Sequence, residues 1–330
     1  MKIVYAGSPD ISARVLTDLN SLINSGNESH GSEEFEICAV LTNPPSAKGR
    51  HHDLIPTPVG EAAEILGIPV FAPEHLDAEA RKFIESLNPD ILVCFAYGKI
   101  FGPKFMAMFP KGGINLHPSL LPKYRGCAPA QAAILNMEKE SGISIQRIAQ
   151  EMDCGDILFQ EKLLLDKDET AETFLNKAAS RGASMLMGVL RKIAVGKETA
   201  VPQDSSKATY CTMLKKEDGN LCWNSKTDAL YAKIRAFSPW PGAFTYADGK
   251  MLKILEASPV SVEADASVVP GTFFAADKKN GLLVKTGDGV LSVKTLQWQS
   301  KKAMNWSDFL NGSRNFIGTK CSEVCQTEQA

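Results

Sequence analysis

The chain has 330 residues, of which 44 % are hydrophobic and 22 % charged, with 25 glycines and 18 prolines. This length is about twice that of a typical domain, so we expect two domains of a soluble globular protein, and the composition excludes collagen-like, low-complexity and largely disordered chains. The net charge of −2 is uneven: residues 206–330 carry 16 Lys and Arg against 12 Asp and Glu. A mildly basic C-terminal part is compatible with a polyanionic partner without requiring one.

The first apolar segments contain Asp10, Arg14 and Asp18, and no long uncharged apolar run follows them. We therefore expect neither a signal peptide nor a membrane-spanning helix, and a cytoplasmic protein that does not bind membranes. The eight cysteines include no C-x-x-C pair. This pattern predicts reduced thiols rather than a disulfide framework or a metal site.

Short β-branched runs alternate with amphipathic runs in the first half of the chain, which is typical of a parallel sheet covered by helices. The predicted strands are residues 2–6, 36–42, 68–71 and 90–95, and the predicted helices are residues 10–23, 57–66 and 75–87. Residues 24–34 are interpreted as a solvated insertion. Such sheets bind ligands beyond the carboxyl ends of their strands, so we expect the site just after Thr42, Phe95 and residues 113–116.

Residues 43–58 form a long, Pro-rich, basic loop at that edge, which favours a functional role. After a predicted helix over residues 173–194, residues 195–208 gather Gly, Pro and Ser and are interpreted as a linker. A helix is then predicted over residues 227–236. The predicted strands that follow are residues 243–246, 251–256, 271–275, 282–286 and 290–296, separated by the hairpin dipeptides Asp248-Gly249, Asn280-Gly281 and Asp288-Gly289. Their spacing predicts a small barrel.

The strongest chemical signal is the run from Gly113 to Gly126. In an extended segment Asn115 and His117 point to the same side, so an amide and an imidazole can converge on one atom. A second apolar run, residues 143–152, ends at Asp153. A carboxylate at the end of a neighbouring strand could hold His117 in one tautomer.

The run NLHPSLLPKYRG, with MDCGDIL further on, closely resembles the pattern shared by the folate-dependent formyltransferases. The stretches AGSPD, NPPSAKGR, FAYGKI, IRAFSPWPGAF, GLLVKTGDG and DFLNG are similar to the methionyl-tRNA formyltransferase branch of that family. The resemblance covers most of the chain except residues 24–34 and the tail after Gly318. It implies an α/β, Rossmann-like, mostly parallel formyltransferase domain over residues 1–194, a linker over 195–208, and an OB-like barrel that binds tRNA over 209–330.

The resemblance also implies the reaction: transfer of a formyl group from 10-formyltetrahydrofolate to the methionine of initiator Met-tRNA for translation initiation. Asn115 and a protonated His117 would donate to the oxyanion, and an ionised Asp153 would support the imidazolium. Lys48 and Arg50 are the implied tRNA contacts. The implied folate contacts are Ser119, Leu120, Leu121, Pro122, Phe95, Tyr97 and Ile100. We expect a monomer with no metal and no obligatory protein partner.

Alternative functions remain open on the sequence. A folate-dependent formyltransferase acting on a small amine such as a nucleotide sugar has a comparable two-domain layout, whereas glycinamide ribonucleotide formyltransferases share the site but lack the second domain. A dinucleotide-binding dehydrogenase is disfavoured because YAGSPD lacks G-x-G-x-x-G and Thr42-Asn43 stand where an acidic residue is needed. A non-catalytic RNA-binding module would not need the Asn115, His117 and Asp153 trio.

Overall fold

The computed structural model describes residues 1–29, 34–48 and 53–322. The chain divides into two compact units by its internal contacts. The N-terminal unit comprises Met1–Pro129, Glu140–Leu164 and Leu175–Thr212, and the C-terminal unit comprises Ala130–Lys139, Leu165–Phe174 and the chain from Met213 onward. Within the described ranges, no helix is long and apolar enough to cross a bilayer.

The first two thirds of the chain alternate strands and helices. The strands are β1 (Lys2–Gly7), β2 (Glu36–Leu41), β3 (Ser46–Lys48), β4 (Asp53–Ile55), β5 (Val70–Phe71), β6 (Ile91–Phe95), β7 (Gly113–His117), β8 (Arg125–Gly126), β9 (Glu140–Arg147), β10 (Ile157–Leu164) and β11 (Tyr210–Cys211). The helices are α1 (Asp10–Ser29), α2 (Pro58–Ile65), α3 (Ala78–Ser86), α4 (Pro103–Met106), α5 (Pro129–Leu135) and α6 (Ala171–Ala194).

A seven-stranded sheet with the order β10-β9-β7-β6-β1-β2-β5 forms the centre of the N-terminal unit. The pairs from β7 to β5 are parallel, whereas β9 is antiparallel to both β7 and β10. All five residues of β6 are buried, which explains its uninterrupted apolar sequence. The predicted Rossmann-like, mostly parallel sheet is confirmed.

Two segments differ from the sequence-based expectation. Helix α1 continues to Ser29, through part of the predicted insertion, because a helix can continue through polar residues after its run of apolar positions ends. The loop predicted over residues 43–58 contains the antiparallel pair β3 and β4, with Lys48 opposite Asp53. Arg50 lies between these strands in the sequence and is outside the described residues.

The C-terminal unit is built on an antiparallel sheet. Its strands are β12 (Phe244–Ala247), β13 (Lys250–Pro259), β14 (Phe273–Asp277), β15 (Gly281–Lys285), β16 (Val290–Trp298) and β17 (Met304–Asn305), and its remaining helices are α7 (Thr227–Ala236) and α8 (Trp306–Gly312). The order is β12-β13-β16-β15-β14, with β17 paired to β16. The sheet curls into a half-barrel around the fully buried Trp223, which confirms the predicted OB-like fold class.

The hairpin between β12 and β13 is the clearest link from dipeptide to structure in this unit. Asp248 and Gly249 have φ angles of 50° and 71°, the two positive values that a type I′ turn requires. Aspartate tolerates the left-handed conformation better than most residues, and glycine adopts it without steric cost.

Residues 319–322 link the two outer strands of this sheet. Ser322 bridges Tyr246 on β12, while Lys320 bridges Thr272 just before β14. Backbone hydrogen bonds support both bridges, including one of 2.8 Å from the Ser322 amide to the Tyr246 carbonyl. Residues 319–322 therefore cover strand edges that would otherwise expose unpaired backbone groups.

Ending the chain at Ile317 is expected to destabilise the C-terminal unit by roughly 3–5 kcal/mol, since several backbone hydrogen bonds of about 1 kcal/mol each are lost. The fully buried Cys321 side chain is lost with them. Denaturant unfolding of this variant, followed by tryptophan fluorescence, measures the change against a chain ending at Ser322. Equal unfolding midpoints for the two truncations would contradict this role of the tail.

Candidate active site

Strand β7 presents the predicted catalytic pair at the carboxyl end of the parallel sheet. Asn115 lies opposite Cys94 on β6 and opposite Gln146 on β9. His117 follows two residues later, and the alternation of side chains along a strand puts it on the same face as Asn115. The amide and the imidazole therefore start from one rigid element.

Asp153, in the connection from β9 to β10, meets both of these side chains. Its Oδ1 accepts hydrogen bonds from Gln146 Nε2 at 2.7 Å and from Asn115 Nδ2 at 3.4 Å. Its Oδ2 accepts a hydrogen bond from the Gly126 amide at 2.8 Å and lies 3.6 Å from His117 Nδ1. The two short hydrogen bonds, from Gln146 and from the Gly126 amide, fix the Asp153 carboxylate between β8 and β9.

The proton arrangement of His117 follows from its two neighbours. Its Nε2 lies 2.9 Å from the Tyr124 carbonyl oxygen, which can only accept, so Nε2 carries a hydrogen. Its Nδ1 faces the Asp153 carboxylate. The ring is buried, so these two neighbours fix its orientation.

Gly126 provides a backbone donor to Asp153 at a position where a side chain has no room. Its φ angle is 117°, and a Cβ built on it would lie 2.0 Å from the Cys211 carbonyl oxygen on the paired strand β11. Only glycine allows β8 and β11 to approach this closely. The close pairing holds the Gly126 amide against the carboxylate.

A cavity of about 150 Å³ opens beside Asn115 and Asp153. Among the described residues, its lining is Cys94, Lys99, Ile100, Phe101, Asn115, Gln146, Arg147, Ile148, Ala149, Gln150, Met152 and Asp153. The lining combines apolar side chains with amide, carboxylate and basic groups. His117 is not part of this lining and lies behind it, against Asp153.

The predicted folate contacts divide into three groups. Ile100 lines the cavity and is 74 % exposed. Phe95 and Tyr97 are buried and do not line the cavity. The segment Ser119, Leu120, Leu121 and Pro122 follows β7 but does not line this cavity. Within that segment, the buried Ser119 hydroxyl donates to the Lys123 carbonyl at 2.7 Å.

Three cysteines near the site, Cys94, Cys154 and Cys211, are poor nucleophiles. Burial raises the pKa of the Cys94 thiol to about 12, and burial also raises the pKa of the Cys211 and Cys154 thiols. A protonated thiol attacks a carbonyl carbon poorly. The environment of these three thiols therefore favours direct attack by the amine over a covalent enzyme intermediate.

Sequence reasoning missed Gln146, Tyr124 and the Gly126 amide as parts of the site. A signal was available for Gln146, because it directly follows the alternating residues Ile143, Ser144 and Ile145 of a predicted apolar run, and the structure shows it to be 1 % exposed. Buried polar side chains in a strand usually have a specific partner. Tyr124 acts through its backbone carbonyl, which leaves no signature in residue type. At Gly126 the requirement for glycine is visible in the sequence, but the hydrogen bond from its amide to Asp153 is not.

Two family models match the chain: "Formyl transferase" over residues 3–190 and "Formyl transferase, C-terminal domain" over residues 213–314. The chain is 43 % identical over 328 residues to a methionyl-tRNA formyltransferase from Treponema denticola, covering 96 % of this chain and 98 % of that protein.

Two solved structures share the fold at 18 % identity. One is an N-formyltransferase from Helicobacter canadensis in complex with folinic acid and dTDP-3-aminofucose, with a TM-score of 0.62 over 89 % of this chain and 98 % of that one. The other is the methionyl-tRNA formyltransferase from Clostridium thermocellum, with a TM-score of 0.55 over 82 % of this chain and 100 % of that one. From its full-length sequence similarity and both domain matches, the chain belongs to the methionyl-tRNA formyltransferase family.

Proposed function

We propose that this chain transfers the formyl group of 10-formyltetrahydrofolate to the α-amino group of methionine on initiator tRNA. The observation that carries the proposal is that Asp153 contacts both Asn115 and His117 beside a cavity. The chain is also similar along nearly its full length to methionyl-tRNA formyltransferases. An amide donor, an imidazole and a carboxylate are the groups that formyl transfer to an amine needs.

The cavity has the chemistry to hold the flat, polar ring system of a folate. Ile100, Phe101 and Ile148 offer an apolar wall for the ring faces. The opposite side offers Gln146 and the backbone near Gln150 to the polar ring edge. The reacting formyl group would then lie beside Asn115 and Asp153.

Asn115 supports the charge that develops during transfer. Attack of the neutral amine nitrogen on the formyl carbon forms a C–N bond and places a negative charge on the formyl oxygen. Asn115 Nδ2 carries two hydrogens, one of which points at Asp153 over a long 3.4 Å. The second hydrogen can donate to the oxyanion, and a fixed donor at that position lowers the barrier.

Asp153 and His117 handle the proton that the amine loses. Asp153 lines the cavity and faces His117 Nδ1, so it can relay a proton between the substrate nitrogen and the ring. The resulting imidazolium is stabilised by Asp153 and places a positive charge near the oxyanion. Collapse of the intermediate breaks the bond from the formyl carbon to the folate nitrogen, which takes up the proton.

The β3–β4 hairpin and the C-terminal unit are the parts that we assign to tRNA. Residues 206–330 carry four more basic than acidic residues, and an OB-like sheet suits contact with a nucleic-acid backbone. Strand β3, which ends at Lys48, follows β2 in the chain, and β2 ends at the carboxyl-end edge of the parallel sheet. Lys48 and Arg50 therefore remain the proposed contacts near the acceptor stem.

Replacing Lys48 and Arg50 together by Ala is expected to raise KM for Met-tRNA by about tenfold, since each lost phosphate contact weakens binding. The KM for 10-formyltetrahydrofolate should not change. Steady-state kinetics with each substrate varied in turn, at two salt concentrations, measure both effects. The double variant of Lys82 and Arg191 to Ala, which removes two exposed cations from α3 and α6, controls for net charge. An unchanged KM and salt dependence would count against the hairpin as a tRNA contact.

The acceptor itself is tested by offering the enzyme and 10-formyltetrahydrofolate either Met-tRNA or a nucleotide-linked amino sugar. We expect formyl transfer to Met-tRNA at least about a thousandfold more efficiently, judged by kcat/KM. Comparable transfer to the amino sugar would assign the chain to small-amine acceptors instead.

A further inference from the structure

Residues 201–211 return to the catalytic groups of the N-terminal unit after α6. Val201 bridges Ile157 at the start of β10, and β11 pairs in parallel with β8. This segment lies between the two family matches, which end at residue 190 and resume at residue 213. The sequence had predicted most of it to be a linker, yet it contacts the site through defined hydrogen bonds.

The side chain of Gln203 makes most of these contacts. Its Nε2 donates to the carbonyl oxygens of Asp153 at 2.8 Å and Gly155 at 2.7 Å, and it lies 3.1 Å from Gln146 Oε1. Its Oε1 accepts two hydrogen bonds from the guanidinium of Arg125, at 3.1 and 2.8 Å. One side chain thus links the loop of the catalytic carboxylate to β8 and β9.

Arg125 anchors this link from the opposite side. Its side chain is fully buried, and no carboxylate of the described residues forms an ion pair with it. Besides Gln203, its guanidinium contacts the Tyr210 hydroxyl at 3.3 Å. A buried charge needs its hydrogen-bond partners, so Arg125 fixes the Gln203 amide in one orientation, with Nε2 toward Asp153.

Residues 201–211 also hold the backbones of two site residues that have unusual conformations. Asp153 and Tyr124 have φ angles of 56° and 60°, in the left-handed region that residues other than glycine rarely adopt. Gln203 binds the Asp153 carbonyl, and Thr209 Oγ1 accepts from the Tyr124 amide at 2.8 Å. These conformations aim the Asp153 carboxylate at His117 and the Tyr124 carbonyl at its Nε2.

We propose that Gln203 is a positioning residue for formyl transfer: it fixes the backbone of Asp153 and the side chain of Gln146, and thereby the carboxylate that faces Asn115 and His117. The proposal rests on the proposed function of the site. Gln203 does not line the cavity, so its loss should misplace the reacting groups without removing a substrate contact. A displacement of about 1 Å at catalytic groups can cost about a hundredfold in rate.

The test uses the full-length chain with Gln203→Met and Gln203→Glu. Methionine keeps the length of the side chain and removes every hydrogen bond. Glutamate keeps an acceptor for Arg125 and replaces the Nε2 donor by a charged carboxylate oxygen, which cannot donate to the Asp153 carbonyl, so it remains informative if Gln203→Met fails to fold. Asp204→Ala is the reference from the same segment, because Asp204 caps residues 205–207 and is paired with Lys207 away from the site.

Each Gln203 variant is expected to lower kcat per folded molecule at least about tenfold, with KM for both substrates within about threefold of the wild type. Asp204→Ala should match the wild type in kcat. A merely structural role would lower the unfolding temperature and leave kcat of the folded enzyme unchanged. Retention of kcat within about twofold by Gln203→Glu would overturn the proposal.

A second readout does not depend on the reaction. Labelling Arg carbonyl carbons with ¹³C and Gly amide nitrogens with ¹⁵N allows selective NMR detection of the amides of glycines that directly follow an arginine. The chain has two such pairs, Arg125-Gly126 and Arg181-Gly182. The Gly126 amide donates to Asp153, so its NMR signal should shift in both Gln203 variants, while the Gly182 signal in α6 should not. An unmoved Gly126 signal overturns the positioning role. Absence of Met-tRNA formylation by the wild type would overturn the proposed function, and the Gly126 signal would still decide the role of Gln203.

Discussion

Asn115→Ala and His117→Ala are each expected to lower kcat at least about a hundredfold, because a fixed oxyanion donor is worth two to three decades in rate. The Asn115 amide acts on a charge that exists only during the reaction, and His117 takes up the proton released with it. KM for Met-tRNA and the unfolding temperature should change little in comparison.

Matched substitutions control for the loss of each side chain. His75→Ala removes an exposed imidazole, and Asn136→Ala removes an amide that bonds only the Ala132 carbonyl in its own helix region. Both controls should turn over like the wild type. Near-normal kcat in either site variant would remove that residue from the mechanism.

Asp153→Asn is expected to reduce kcat by at least about a hundredfold at every pH, because the amide cannot stabilise the imidazolium. The geometry adds a second penalty. Asp153 Oδ1 and Oδ2 accept from Gln146 Nε2 and the Gly126 amide, so one of these donors would face the new NH₂ group. The measurement is a pH profile of kcat beside that of Asp156→Asn, a nearby carboxylate outside the cavity. Full activity of Asp153→Asn across that profile would make Asp153 structural.

The sequence predicted helices and strands well where the spacing of apolar residues matches the face that the structure buries. Helix α7 has the bounds that periodicity predicts, residues 227–236. The extension of α1 to Ser29 was not predicted, because helical periodicity is read from apolar residues and gives no signal in turns that contain none. The β3–β4 hairpin was missed because Pro-rich composition resembles that of an irregular loop.

The candidate site shows the same division between local and long-range information. Asn115 and His117 could be found because two residues on one strand share a face. Asp153 could be found because it follows a second apolar run, whose end was predicted to lie beside His117. Gln203 contacts Gln146 across 57 residues of sequence. No local pattern encodes such a contact, and the Gly- and Ser-containing composition of residues 195–208 pointed instead to a linker.

The central claim, formyl transfer to initiator Met-tRNA, is tested most directly by comparing two charged tRNAs. The purified chain is supplied with 10-formyltetrahydrofolate and either methionyl initiator tRNA or methionyl elongator tRNA, and N-formylmethionine is quantified on each. Both substrates present the same amine, so any difference in kcat/KM reports recognition of the tRNA. We expect kcat/KM for the initiator to exceed that for the elongator at least about a hundredfold. Formylation of neither tRNA, with transfer of the formyl group to a small amine, would contradict the account.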